Sequence, residues 1–303
     1  MIVTVKKSVN QIITTKYAPY FFVAPFIISF LIFFLYPLIS TVIMSTQEIL
    51  GPEDVTFIGL QNYKNLANEQ FLRAIENSTI YTILTIIILI PLPLILAILI
   101  TNKPTKGRTF FKSAYFLPAL TSVVVAGIFF RFAFSAQHTA LVNSILINIG
   151  AKPHDWLFKR WSTMLILVLF CTWRWLGVNV IYFLSGLSAI PPEQYESADI
   201  DGASKLQKLF FITIPNLKPT IVYVVTISIY GGFAMFAETY TMFGTAASPG
   251  DIGLTLVSYI YLEGFNYANL GMGSAIGVAL FVIIMTVNII QLIFTGTFKK
   301  KGA

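Results

Sequence analysis

The chain has little of what enzyme active sites usually need. Among 303 residues there are one cysteine and two histidines, and charged residues make up only 11%. The lone Cys171 excludes an intrachain disulfide and a cysteine metal site. His138 and His154 fall in one predicted loop without an acidic cluster, so neither a metal site nor a set of catalytic residues is expected. No G-x-x-x-x-G-K-[ST] segment occurs, which excludes ATP binding by the usual phosphate loop.

Hydrophobic residues, by contrast, make up 56% of the chain, more than a soluble domain of this size can bury. A helix needs about 20 residues to cross a hydrocarbon core of roughly 30 Å. The sequence therefore predicts an all-α integral membrane protein with six transmembrane helices. We place them at 18–45, 78–101, 113–134, 162–189, 219–242 and 269–295. The first run carries no charge from Tyr17 to Gln47 and is predicted to be an uncleaved signal-anchor helix.

Lysine and arginine are distributed unevenly between the predicted loops. Thirteen lie in the N-terminal segment, the 102–112 loop, the 190–218 loop and the tail, and five lie in the loops on the opposite side. By the positive-inside rule, both termini and the 190–218 loop are predicted to be cytoplasmic. The net charge of +7 is then mainly a matter of membrane topology and does not indicate nucleic-acid binding.

The 190–218 loop, here called the insert, is charged and amphipathic in an otherwise apolar chain. Two prolines at 191 and 192 suit a first helical turn, and Glu193 and Glu196 favour its positive end, so a short helix is predicted over 192–201. At about 100° per residue, Asp199 shares an acidic arc with the two glutamates, while Tyr195 and Ala198 lie on another arc.

A second helix is predicted further along the insert. Gly202 is expected to end the first helix, and Ser204 and Gln207 have the spacing of a capping box that would begin the next one. Pro215 is expected to stop this second helix and Pro219 to open the following span. By shape alone, the insert is also typical of interfacial helices in many polytopic proteins.

Residues 196–203 (E-S-A-D-I-D-G-A), followed by 211–215 (F-I-T-I-P), resemble the cytoplasmic E-A-A-x-x-x-G loop of importer-type ABC transporter permeases. The triplet at 201–203 and the preceding 190–192 (I-P-P) are similar to the carbohydrate-uptake branch, which serves maltose, other oligosaccharides and glycerol phosphate. Ser197 stands where the family usually has its first alanine, and its small side chain is compatible with a docking face.

Four further segments support this resemblance, which runs from about residue 17 to 296. The segment 57–63 (F-I-G-L-Q-N-Y) resembles the F-x-G-L-x-N-[YF] signature of sugar permeases, in which Gly59 would permit a tight turn. Its side chains are predicted either to form a structural lid or to contact substrate. The other three segments are 107–112, 173–177 and 271–275.

The resemblance implies an importer-type permease fold with a cytoplasmic coupling helix. A cytoplasmic segment, 1–17, would precede a single permease domain, 18–296, and a basic tail, 297–303. The residues expected to contact an ATPase are Glu193, Glu196, Ala198, Asp201, Gly202 and Ala203. No cofactor is expected on this chain, because ATP and magnesium would bind the partner ATPase.

The resemblance also implies partners: an ATPase subunit dimer, an extracytoplasmic sugar-binding protein and a second permease subunit. Some permeases of this type have a C-terminal extension that enters the ATPase dimer. The short tail after residue 297 predicts no such extension, which favours a non-identical pair of permeases.

Ionisable residues inside apolar spans are costly and are candidates for function. Arg174 is predicted either to donate to sugar hydroxyls or to form a structural ion pair or gate. Arg131 lies near a span end, where snorkelling is expected. Aromatic rings near a carboxylate suit sugar binding. The predicted substrate pathway therefore comprises Arg174, Asn179, Tyr182, Tyr230, Phe233, Phe236 and Glu238.

These features predict a permease subunit that imports a sugar, preferably an oligosaccharide, by ATP-driven alternating access. Glycerol phosphate is the alternative substrate within this class. An ion-coupled secondary transporter is the alternative from another class, but it would need a relay of intramembrane acids, and Glu238 stands alone. A membrane-embedded enzyme is disfavoured by the scarcity of catalytic residue types.

Overall fold

A computed structural model describes residues 17–51, 53–101 and 108–298. The predicted basic segment before Tyr17, the loop lysines Lys103 and Lys106, and the tail lysines 299–301 lie outside the described residues. Their contribution to the predicted topology therefore stays a prediction.

The described chain is helical apart from one short hairpin. Two strands, β1 (Gln47–Ile49) and β2 (Val55–Phe57), pair antiparallel. The helices are α1 (Ala18–Phe30), α2 (Tyr36–Met44), α3 (Gln61–Asn65), α4 (Glu69–Leu89), α5 (Pro91–Thr101), α6 (Arg108–Leu120), α7 (Val123–Ala133), α8 (Leu141–Asn148), α9 (Arg160–Ser188), α10 (Pro192–Ile200), α11 (Lys205–Lys208), α12 (Ile214–Phe233), α13 (Ala237–Phe243), α14 (Leu256–Tyr261) and α15 (Leu270–Phe294). Three π-helical segments, Leu31–Leu35, Leu209–Thr213 and Leu262–Asn266, and a 3₁₀ turn, Pro249–Asp251, lie between them.

Five helices in the described ranges are long and apolar enough to cross a membrane. They are Ala18–Met44, Glu69–Thr101, Arg160–Ser188, Lys205–Phe243 and Leu270–Phe294. The third predicted span, 113–134, is not one straight helix, because Ser113–Leu120 and Val123–Ala133 meet at 94°. Pro118 removes a backbone donor one turn before this bend. The described residues thus contain five candidate spans, or six if the bent pair crosses the bilayer as one.

The predicted stop at Pro215 is wrong. The chain stays helical from Lys205 to Phe233, because the π-helical turn Leu209–Thr213 leads directly into α12 and Pro215 lies in the first turn of that helix, where no donor is required. The Thr213 hydroxyl donates to the carbonyl of Lys208 at 3.2 Å within this turn. The insert is therefore continuous with the following span.

Helix α9 lies at the centre of the bundle and contacts α4, α5, α6 and α12. About half of its most apolar window is buried, against none of the window in Ala18–Met44. Gly177 lies where α9 crosses α6, and its missing side chain lets the Tyr115 carbonyl approach the helix backbone. The predicted family segment 173–177 thus includes a packing glycine.

The hairpin marks one end of the bundle, here called the hairpin end. Gly59 has a φ of +61°, as its predicted turn requires, and the buried Asn62 amide donates to the carbonyls of Ser45 and Gln47 at 3.0 and 2.9 Å. The Tyr63 hydroxyl forms a hydrogen bond with the Ser45 hydroxyl at 2.7 Å, which agrees with the structural role predicted for this segment. Phe57 and Leu60 are 78% and 65% exposed, so they do not cover the bundle.

The insert lies at the opposite end, here called the insert end. At the hairpin end, the Gln47 carbonyl lies against Gly271 in the first turn of α15, and Arg160 at the start of α9 pairs with Glu76 near the start of α4 at 2.7 Å. Each long helix extends from there for about 1.5 Å per residue. The described start of α1 and end of α15 therefore lie at the insert end, the arrangement that the topology prediction requires.

We predict that Gly177→Ala destabilises the chain whereas Gly231→Ala does not. A methyl group on Gly177 would collide with the Tyr115 backbone carbonyl, but nothing lies within 4 Å of a Cβ on Gly231. Overpacking of this kind costs about 1–3 kcal/mol. Thermal unfolding of both variants in detergent tests this, and equal midpoints would contradict the packing role of Gly177.

Candidate functional site

The first helix of the insert forms as predicted and is one residue shorter. It spans Pro192–Ile200, and Asp201 is its C-cap. Gly202 follows with a φ of +73°, a left-handed conformation that favours glycine, and the Ala203 amide donates to the Ala198 carbonyl at 2.9 Å. The predicted capping box is also present: the Ser204 hydroxyl accepts from the Gln207 amide at 3.3 Å, and the Gln207 side chain accepts from the Ser204 amide at 2.7 Å.

The two arcs of α10 meet different surroundings. On one side the Tyr195 hydroxyl bonds the Thr213 hydroxyl at 2.9 Å, and Gln194 accepts from Asn216 at 2.8 Å. These bonds hold α10 against its own chain. Glu193 and Glu196 are exposed on the other side and form no ion pair within the described residues.

The remaining residues predicted to contact an ATPase are at the same surface. Asp201 and Gly202 are exposed, and Ala198 and Ala203 are half-buried. Asp199 differs from the two glutamates because it forms an ion pair with Lys208. The insert therefore presents an acidic side that is not neutralised by the described part of this chain.

Two predicted pathway residues meet inside the bundle. The Arg174 guanidinium (Nη1) lies 3.5 Å from Glu238 Oε1, and the two side chains are only 18% and 14% exposed. Arg174 also lies over the Trp175 ring at 5.5 Å, and its Nε is buried without a hydrogen-bond partner. The structure thus has the ion pair that was one of the two predictions for Arg174.

A break in the helix positions Glu238. Helix α12 ends at Phe233, three residues follow, and α13 begins at Ala237, so Glu238 lies in the first turn of α13. There the positive end of the helix favours an acidic side chain. Arg174 lies midway along α9, so the break brings the carboxylate to an arginine deep within the bundle.

Two other predicted pathway residues are packed into the bundle. The Asn179 amide donates to the Leu89 carbonyl at 3.0 Å, and Asn179 is 7% exposed. That carbonyl lacks its usual helical donor because residue 93 is proline. Phe233 is 4% exposed and belongs to a buried cluster with Leu254 and Ile276. Both side chains therefore have structural partners that account for them.

The last three predicted pathway residues have rings that are at least partly accessible. Tyr230 is 62% exposed, and Tyr182 lies edge-on to Tyr223 with ring centroids 5.3 Å apart. Phe236 contacts Tyr240 and Tyr261 at centroid distances of 5.3 and 5.2 Å, and Tyr261 in turn stacks on Phe265. The sequence places Tyr240 in the same span without singling it out, and it does not indicate Tyr261, because aromatic residues are too frequent in this chain.

The hairpin end also has a half-buried acid in the segment after α14. Burial raises the pKa of the Glu263 carboxyl, and a hydrogen bond with the Tyr259 hydroxyl works in the opposite direction. The Tyr259 hydroxyl also accepts from the Asn68 amide at 3.1 Å. Glu263 is therefore part of the packing that ties α14 to the start of α4.

Long apolar helices, a polar insert held against them and an ion pair within the bundle define a polytopic membrane protein. The comparison with known families agrees: residues 8–300 match the family described as binding-protein-dependent transport system inner membrane component. The chain belongs to this family. It is a multi-pass membrane permease subunit of a sugar ABC transporter, as the resemblance predicted.

Individual relatives support the same assignment. The arabinooligosaccharides transport system permease protein AraP of Bacillus subtilis is 52% identical over 95% of this chain and 91% of its own length. AraP of Halalkalibacterium halodurans is 48% identical over 94% and 90%. In a solved structure, a bacterial alginate ABC transporter in complex with an alginate pentasaccharide-bound periplasmic protein, one chain is 25% identical, with a TM-score of 0.83 over 95% of this chain and 97% of that one.

We predict that Arg174 and Glu238 contribute to stability as a pair. Removing either partner leaves the other as an uncompensated, mostly buried charge, whereas removing both leaves none. The variants Arg174→Met and Glu238→Gln should therefore each cost more than their combination, with a coupling of about 0.5–3 kcal/mol. Unfolding of the three variants in detergent measures this, and strictly additive losses would contradict the pairing.

Proposed function

We propose that this permease imports an arabinose-containing oligosaccharide, which an extracytoplasmic binding protein delivers. The two AraP relatives support the sugar, since their identities are 52% and 48% over nearly the whole chain. The alginate transporter supports the delivery, because its solved complex contains a sugar-loaded periplasmic protein. The import is driven by ATP, which binds with magnesium to a separate ATPase dimer.

The observation that carries this proposal is that α10 is attached to the rest of the chain on one side and exposed on the other. Its inner side is bonded to Thr213 and Asn216, and the buried Ile190 fixes its start in a cluster with Leu184 and Leu217. Its acidic side is left exposed. This is the arrangement expected of a coupling helix, which must be held firmly to the permease and present a free surface to the motor.

The same attachment supports alternating access. Helix α10 connects the end of α9 to the start of the long helix that includes α12, and the α9 and α12–α13 segments bear Arg174 and Glu238 respectively. A displacement of α10 by the ATPase would shift these two segments relative to each other. The ion pair, already 3.5 Å long, would then open and release hydrogen-bonding groups to the sugar.

The proposed pathway follows this seam between α9 and α12–α13. Arg174 and Glu238 supply the polar contacts, and Phe236, Tyr230 and Tyr182 supply rings on which the apolar faces of a sugar stack. A second, non-identical permease subunit covers the exposed side of this seam. The insert end is cytoplasmic, in agreement with the excess of lysine and arginine predicted there.

We predict that Glu196→Lys lowers ATP-driven uptake by a reconstituted complex about tenfold or more. A like charge opposite a basic ATPase residue costs several kcal/mol, and each ~1.4 kcal/mol is tenfold in affinity. Gly202→Asp should act similarly, because Gly202 has a φ of +73° and the backbone would be strained there with any L side chain.

The matched control is Glu48→Lys, which makes the same charge change on an exposed acid of strand β1 at the hairpin end. It should leave both uptake and co-purification of the ATPase unchanged. Proteoliposome uptake, ATPase co-purification and the amount of inserted chain are measured together. Normal uptake by Glu196→Lys and Gly202→Asp would remove the basis for the coupling role.

A further inference from the structure

A cavity of about 560 Å³ opens at the hairpin end, between the end of α7, the end of α13 and the chain that leads into α9. Its volume falls within the range of about 300–1,000 Å³ that is usual for small-molecule sites. Its lining includes Arg131, Ser135, Phe158, Phe243 and Thr245. None of the residues in the predicted pathway lines it.

The polar residues that line the cavity have hydrogen-bond donors without a partner among the described residues. Arg131 is exposed and has neither an ion pair nor a hydrogen bond with any residue that the structure describes. Its guanidinium has five N–H donors in a planar fork. Ser135 adds a hydroxyl that forms no hydrogen bond with any residue that the structure describes. Thr245 adds a second hydroxyl, which accepts a weak hydrogen bond from the Ala247 backbone amide at 3.4 Å.

The backbone leaves room for this guanidinium. Gly244 follows α13 with a φ of +76°, and a Cβ there would lie 2.7 Å from Arg131 Nη1. A side chain at this position would therefore be strained and would also displace the arginine. The glycine keeps the fork beside the end of α13, where the negative end of the helix further favours a cation.

The lining also includes aromatic rings. Phe158 is 63% exposed, and Phe243 is the last residue of α13. Hydrogen-bond donors together with rings suit a ligand with polar edges and apolar faces, which is the chemistry of a sugar ring. Neutral and acidic sugars both accept from such donors, and the proposed substrate, an arabinose-containing oligosaccharide, is neutral.

The cavity lies beside the proposed pathway. Helix α13 has Glu238 in its first turn and Phe243 as its last residue, about 7 Å apart along the helix at 1.5 Å per residue. A sugar ring in the cavity would thus lie close to the Arg174–Glu238 pair.

We propose that this cavity is an entry site, which binds one end of a neutral oligosaccharide before it reaches the ion pair. The proposal rests on the proposed function and adds a second sugar-binding site to it. Arg131 provides the main hydrogen bonds, Ser135 and Thr245 provide further ones, and the ring of Phe158 stacks on the sugar.

The test uses the complete transport complex in nanodiscs, titrated with arabinotriose in the absence of nucleotide and followed by saturation-transfer NMR. Arg131→Gln should weaken binding about tenfold, the usual order for a lost hydrogen bond with a charged group. Arg131→Lys keeps the charge at the end of α13 but lacks the fork, and should also weaken binding. Lys152→Gln, which removes one charge from an exposed loop at the same end, is the control and should have no effect.

Uptake in proteoliposomes separates this entry site from a structural role. Arg131→Gln should raise the half-saturating concentration of sugar-loaded binding protein about tenfold while the maximal rate stays unchanged. A lower maximal rate or a lower unfolding midpoint, with unchanged arabinotriose binding, would assign Arg131 to structure and overturn the proposal. If Arg131→Gln instead weakens ATPase stimulation by the sugar-free binding protein, the cavity docks protein, and the sugar site is again overturned.

Failure of the two proposals is distinguishable. If the wild-type complex shows no ATP-driven uptake of arabinotriose, the proposed function fails for this sugar. If the wild type transports it and both Arg131 variants bind and transport as the wild type does, only the entry site fails. Ser135→Ala provides a second variant away from α13, with an expected loss in binding of about threefold.

Discussion

The constraint on which this structure depends is that backbone groups within a bilayer must find hydrogen-bond partners inside the protein. In several places a side chain of another helix or turn donates to a backbone carbonyl near an irregular segment. Asn179 of α9 donates to the Leu89 carbonyl, which Pro93 deprives of its donor. Asn77 of α4 donates to the carbonyls of Asp251 and Leu254 in the loop before α14. Proline and polar residues in the spans thus belong together.

The Thr213 hydroxyl combines a hydrogen bond of this kind with attachment of the insert. It donates to the Lys208 carbonyl in the π-helical turn and is bonded by Tyr195 of α10. The threonine therefore stabilises the irregular turn and fixes the insert with the same oxygen. Thr213 lies within the segment 211–215, which resembles the family loop.

Local features of the site were predictable from sequence, and long-range ones were not. The start of α10, its end at Gly202 and the capping box depend on residues within four positions of one another, so the pattern specified each of them. The Arg174–Glu238 pair joins residues 64 positions apart and depends on the helix break at 234–236. No single residue in the sequence predicts that break. Asn179 and Phe233 have residue types suited to a pathway, yet packing determined their contacts. The stop predicted at Pro215 was wrong because the π-helical turn Leu209–Thr213 leads directly into α12.

The positions of the irregular segments also suit the proposed combination of coupling and sugar binding on one chain. From Lys205 to Phe233 the helix is unbroken, so movement imposed at the insert end is carried along its length with little loss. The break that follows separates α13, which packs against α7, from this long helix. Glu238 lies just beyond the break, and the Arg131 cavity lies at the far end of α13. In the proposed mechanism, the rigid part of the span transmits the motor's movement and the short helix after the break converts it into a change at the sugar contacts. A helix without the break would move Glu238 together with the insert, and the pair with Arg174 could then open only if α9 were displaced as well.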